Sequence, residues 1–175
     1  EYTLRLLVFL AGHAPEAAVA AAPLPLAVLA AVAALLALLP RGTGLRPFAW
    51  LVLAGFTFYR PAAVAEGRLK AVVMDAGQGL SVLVRTKEHD LLFDTGTARA
   101  AAAGIVPSLN ALGVRRLDRL ILSHHDNDHD GGFQAVTDGR TVARITAGQP
   151  EFYPQAEPCR ETQWQWDGVR FELLR

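Results

Sequence analysis

Twenty-three consecutive residues, 17–39 (AAVAAAPLPLAVLAAVAALLALL), carry no charge and almost no polar group. As a helix this stretch is roughly 34 Å long at ~1.5 Å per residue, enough to cross a hydrocarbon core of about 30 Å. A lone segment in lipid must satisfy its own backbone, which leaves the helix as its conformation. Pro23 and Pro25 fall near its start, where they shorten or kink it. A buried Ala-rich core helix is the competing reading, but no amphipathic face is visible in the sequence.

A polar turn at 41–46 (RGTGLR) interrupts the apolar run, and residues 47–59 (PFAWLVLAGFTFY) resume it for 13 residues. Arg46 and Arg60 flank this stretch in positions from which they can snorkel, and Trp50, Phe58 and Tyr59 suit an interfacial belt. We therefore expect a membrane region over 1–66, with spans at 17–39 and 47–59 and the stump of an earlier helix at 2–10. Charge is divided accordingly. The first 60 residues hold only Glu1, Arg5, Glu16, Arg41, Arg46 and Arg60 as charged groups. Arg41 and Arg46 favour one orientation and Arg60, Arg68 and Lys70 the other, so loop charge leaves the topology open.

The whole chain has 175 residues, no net charge and one cysteine, Cys159. That excludes an internal disulfide, a Cys-based zinc cluster and a nucleic-acid binder driven by a basic tail. From residue 67 onward the pattern is that of an α/β unit. Short Val- and Leu-rich runs at 69–75, 80–86, 90–94, 117–123, 142–146 and 169–174 read as strands, the last entered through an Asp167-Gly168 turn. Residues 105–112 have helical spacing and stop at Gly113, and Gly131-Gly132 opens a further helix around 133–136.

The chemistry concentrates in residues 123–132 (SHHDNDHDGG), directly after the hydrophobic run 117–122. His124, Asp126 and Asp128 alternate and His129 adjoins them. Read as an extended stretch, alternation turns their side chains to one point. Imidazole and carboxylate are the donors that hold divalent zinc or manganese. The clustered carboxylates would repel one another, and a cation relieves that repulsion. His125 and Asp130 fall on the other side and are expected outside the ligand set, and Asn127 reads as a turn residue. Arg115, Arg116 and Arg119 read as a solvated helix–strand junction. Trp164, Trp166 and Phe152 read as packing residues, with base stacking as the lesser alternative.

The stretch resembles the His-x-His-x-Asp-His signature of the metallo-β-lactamase fold, with Asp126 in place of the second His. Residues 75–79 (DAGQG), 93–96 (FDTG) and 109–118 (LNALGVRRLD) resemble the turns, helix and strand that lead to that site. With hydrophobic helices just upstream, the combination resembles the ComEC family of DNA-internalisation competence proteins over residues 17–175. The resemblance implies N-terminal transmembrane helices followed by the first half of an αββα sandwich. It also implies a multi-pass protein of the bacterial inner membrane, its C-terminal domain on the outer, periplasmic side. That domain would act as a metal-dependent nuclease that degrades the strand not transported. Single-stranded DNA, the bilayer and other competence proteins are the implied partners.

A two-metal site then assigns His124 and Asp126 to one ion and Asp128 with His129 to the other, with Asp128 and Asp94 as catalytic candidates. Asp94 would position a ligand or touch the site, and Asp75 and Gln78 would hold the loop backbone. The pattern departs from the family in one respect: no His follows His129. The chain therefore reads as a truncated piece of a longer protein. Other metallo-β-lactamase-like hydrolases, acting on thioesters, lactones or β-lactams, and a degenerate channel component are the competing functions.

Overall fold

The structure is a computed structural model that describes residues 4–5, 21–59 and 61–174. Most of the expected stump at 2–10 and residues 17–20 of the first expected span lie outside the described residues. Helix α1 (Leu24–Ala37) begins at Pro23 and Pro25, and Pro40 follows its end. Helix α2 (Arg46–Thr57) is entered through a short 3-10 turn, Arg41–Thr43. The two pack through small residues, Ala33 and Ala37 against Ala49, which lets their backbones approach closely. Outside that seam Leu24, Leu35, Leu38, Phe48, Leu51 and Phe58 are exposed.

The two expected spans are thus realised as shorter helices. They have 14 and 12 residues, or about 21 and 18 Å of rise. Among the described residues no helix is long and apolar enough to cross a membrane. Proline explains the shortfall in part, since it starts α1 late and cannot extend it past Leu38.

Residues 70–158 build a six-stranded mixed sheet, in the order β1 (Lys70–Val73), β2 (Val82–Arg85), β3 (Asp90–Phe93), β5 (Arg119–Leu122), β7 (Ile145–Ala147) and β8 (Glu157–Pro158). The first three strands are antiparallel hairpins, and β3, β5, β7 and β8 run parallel. Two two-residue strands, β4 (Arg116–Leu117) and β6 (Thr141–Val142), pair beside it. The register aligns Leu83, Leu92 and Leu120 on one face. There they form a core with Ile105, Leu109, Val114, Val136 and Tyr153. This layer is supplied by α3 (Ala98–Ala100), a π-helical turn (Ala101–Ile105), α4 (Val106–Ala111) and, beyond residues 123–132, α6 (Phe133–Asp138). Gly113, in the left-handed region at φ 75°, ends α4 where the sequence places its stop.

The opposite face meets a hairpin of β9 (Thr162–Trp166) and β10 (Val169–Leu173), joined at Asp167-Gly168. Both turn residues have positive φ, as a type I′ hairpin turn requires. The expected strand at 142–146 is divided: Ala143 and Arg144 separate β6 from β7.

Asp167 fastens this hairpin to the β2–β3 turn. It accepts from Thr86 Oγ1 at 2.6 Å and Glu88 N at 2.9 Å, and faces His89 Nδ1 at 3.0 Å. These bonds, the Thr86 hydroxyl first, hold its carboxyl well below the ordinary carboxylate range. A folded-state pKa below the unfolded one means stability that is present above about pH 4 and is lost as the pH falls through the folded value. Thermal unfolding midpoints are expected to drop on acidification below about pH 4. The drop should be shallower in Asp167→Asn. Equal slopes in the two proteins would contradict this role.

Candidate metal centre

The site stands where β3 and β5 end side by side. Asp94 follows β3 in the left-handed region, φ 54°, and its N–H donates to Ile121 O at 2.8 Å. This turn drives the Asp94 carboxylate inward, where it is fully buried. Ser123 N and Ser123 Oγ each donate to it at 2.8 Å. His129 Nδ1 lies 2.8 Å from its Oδ2. Asp94 is therefore a positioning group: its contacts are with Ser123 and His129, and it has no open surface for a substrate. The catalytic candidacy it holds in the sequence reading has that physical limit.

Ser123 carries the order one step further, its Oγ standing 2.9 Å from His124 Nδ1. Each histidine thus has Nδ1 engaged on the inner side and Nε2 turned to a carboxylate. His124 Nε2 is 3.0 Å from Asp126 Oδ2, and His129 Nε2 is 3.8 Å from Asp128 Oδ2. The two imidazole centroids are 4.1 Å apart. The Asp94 hydrogen bond raises the His129 pKa above its ordinary value.

The four expected ligands stand as two imidazole–carboxylate pairs whose imidazoles are neighbours. Among the described residues no three His, Cys, Asp or Glu side chains form a ready-made ligand set. The geometry expected from sequence also differs in kind. Residues 124–129 are not one extended stretch, because a helical turn, α5 (Asn127–Asp130), begins after Asp126. Asp126 is extended at φ −127° and serves as its N-cap, its carbonyl accepting from His129 N and Asp130 N. Asp126 and Asp128 are therefore not successive positions of one strand face.

Imidazole and carboxylate are the donor types that a divalent cation takes, although here they stand as pairs and not as a set of three or more among the described residues. Two Nε2 atoms and two carboxylates face outward, and a buried carboxylate orients one imidazole from behind. That outer support is what a metal-bound histidine requires to fix its tautomer and direction.

The upstream glycine turn buttresses this loop. Asp75 Oδ1 accepts from Gly77 N at 3.1 Å, which closes the turn, while Gln78 is exposed. Leu80 N donates to Asp128 O at 3.2 Å, and Thr95 N to His129 O at 2.7 Å. His125 and Asp130 pair with each other at 2.5 Å, away from the four ligands. Tyr153 OH also donates to Asp130 Oδ2, and Phe152 stacks on His125 with centroids 4.0 Å apart. Burial, then the Asp130 hydrogen bond, pushes the Tyr153 phenol well above its ordinary range. Sequence reasoning missed Ser123 and Tyr153. Ser123 had a readable signal, its place between the strand end and His124, whereas Tyr153 reaches the neighbouring His125–Asp130 pair only through the tertiary fold.

Comparison with known proteins places this arrangement. Residues 74–158 match the metallo-beta-lactamase superfamily, so the sheet and the loop of paired ligands form a metallo-beta-lactamase-like domain. Over its whole length the chain is related to one competence protein, and over part of it to a recombination protein. It is 69% identical over 176 residues, and all of this chain, to Competence protein ComA of Neisseria gonorrhoeae. It is 30% identical over 131 residues, 71% of this chain, to Recombination protein 2 of Haemophilus influenzae. The chain spans only 25% and 16% of those two relatives. A solved metallo-beta-lactamase of Cronobacter sakazakii, a HARLDQ motif mutant, aligns over 64% of this chain and 52% of its own, at 23% identity and a TM-score of 0.46.

Proposed function

We propose that this chain belongs to a membrane-anchored, metal-dependent nuclease of a DNA-uptake channel, and that it degrades the strand that is not transported. The observation that carries the reading is whole-length similarity to a competence protein in a chain whose two imidazole–carboxylate pairs adjoin one another. His124 and Asp126 would hold one divalent ion, zinc or manganese, and Asp128 and His129 a second in the complete domain. When bound, such ions would supply an activated water and neutralise negative charge on a phosphodiester. The chain's own groups prepare for this. Asp94 fixes the His129 ring, Ser123 fixes His124, and Asp128 stands at the rim with its carboxylate partly exposed.

The apolar exterior of the α1–α2 pair supports lipid as its surroundings. With the competence resemblance it favours an inner-membrane protein whose metallo-beta-lactamase-like domain lies on the outer side. DNA and other uptake proteins are then its partners. Because a fold does not choose a substrate, the test must. The full-length protein, purified in detergent, is offered single-stranded DNA, a thioester, a lactone and a β-lactam. Each is assayed after chelation and after adding back zinc or manganese. Metal-restored cleavage confined to DNA is expected. Turnover of a small ester or β-lactam with DNA left intact would overturn the reading.

A further inference from the structure

On the sheet face opposite the helices, three buried polar atoms have no hydrogen-bond partner among the described residues: Arg119 Nη1, Thr146 Oγ1 and Trp164 Nε1. The first two belong to side chains in the sheet interior, with Arg119 6% and Thr146 5% exposed. A buried donor without an acceptor costs about 1–3 kcal/mol, more when charged, so this concentration calls for an acceptor. The Arg119 guanidinium lies 4.0 Å from the centroid of the Trp164 ring, which holds its plane in place.

Neighbouring cations are better compensated. Arg116 Nη2 has Asp118 at 3.1 Å and Arg144 Nε has Glu157 at 3.6 Å. Two clefts meet at Arg119 and Arg144, of about 360 and 380 Å3. The first includes Trp164 and the second Thr146 and Arg160. All three orphan groups can donate, and the open space beside them is edged by Arg116, Arg144 and Arg160 together with Asp118, Glu157 and Glu161. Asp118 and Glu157 are taken up by Arg116 and Arg144, and the three orphan donors have no bonded acceptor among the described residues; a guanidinium fork matches a phosphate in that role.

We propose that this face carries an oxyanion site for a phosphate group, free or within a phosphodiester chain, with Arg119 and Thr146 as its floor and Arg144 at its rim. Arg119 opens β5 and Ser123 follows its end, so about 13 Å of strand separates this site from the paired ligands. It stands independently of the metal reading.

The test uses the 175-residue chain in detergent micelles and reads the Trp164 indole N–H resonance, assigned with Trp164→Phe. Inorganic phosphate is titrated in one arm and a short oligothymidylate in the other, with chloride holding ionic strength constant and chelator present throughout. A saturable shift is expected, with affinity about tenfold weaker in Arg119→Gln and severalfold weaker in Thr146→Val. The arm that saturates at lower concentration identifies the source of the phosphate. Absence of a saturable shift in both arms, an equal shift with chloride alone, or unchanged affinity in Thr146→Val and Arg119→Gln would overturn the site. Thr146→Val keeps the test decisive should Arg119→Gln fail to fold.

Discussion

Alanine at Asp128 or at His129 is expected to abolish metal-dependent DNA cleavage by the complete protein while leaving its fold intact. Both side chains belong to the single turn α5, with Asp128 39% and His129 22% exposed, and neither is part of the hydrophobic core. Asp128→Ala removes a carboxylate that the hydrophobic core never touches. His129→Ala removes the imidazole that Asp94 orients, leaving that buried carboxylate with its two Ser123 bonds. A surface change of the first kind costs within about 0.5 kcal/mol, whereas a lost metal ligand takes away both water activation and charge neutralisation. Cleavage falling to the level of the chelated protein, with an unchanged unfolding midpoint for Asp128→Ala, is the expected result. Cleavage at the parental rate in either variant would remove the ligand assignment.

The second large effect is expected at a residue with no side chain. Gly79 has a φ of 124°, a conformation L residues rarely adopt, and a Cβ built there would overlap the Asp128 carbonyl oxygen. The obstacle is backbone, which is itself pinned by Leu80 N, so it cannot yield as a flexible side-chain tip would. Strain of about 1–3 kcal/mol and overpacking of a similar size together give a cost on the order of 2–5 kcal/mol for Gly79→Ala. That is a large share of a domain's stability of about 5–15 kcal/mol. Because the displaced atom belongs to Asp128, metal affinity should fall with it. Gly77 is the control: its φ is 64° but a Cβ meets nothing within 4 Å. Gly77→Ala should cost about 1–2 kcal/mol and spare metal binding. Chemical denaturation and metal titration of the pair measure both quantities, and equal behaviour of the two variants would contradict the buttress.

The elements that sequence shows plainly are those with a local physical cause. Gly113 ends α4 and Asp167-Gly168 turns the β9–β10 hairpin because the left-handed conformation leaves few residue choices. Strands β2, β3 and β5 are legible as apolar runs because one or both of their faces are covered. What was missed depends on distant partners. The Ala-rich π-helical turn, Ala101–Ile105, carries no periodic signal, and β8 is two residues long. Arg119 reads as part of a solvated cluster, yet its place in β5 sends it under Trp164. Over residues 124–129 the residue types are legible but the backbone path is not. Alternation suggests a strand, whereas the backbone bonds from His129 and Asp130 to Asp126 wind it into a turn. Asp94 shows the same division. Its motif marks it as part of the site, and only its burial shows that it works through Ser123 and His129.

The central claim is that His124, Asp126, Asp128 and His129 hold divalent cations. Calorimetric titration of zinc and manganese into the chelator-treated full-length protein tests it most directly, run beside the His129→Ala and Asp128→Ala variants. The account predicts saturable binding that is lost or weakened by at least about tenfold in both variants. Binding that is absent from the parent protein, or that survives unchanged in the variants, would contradict it.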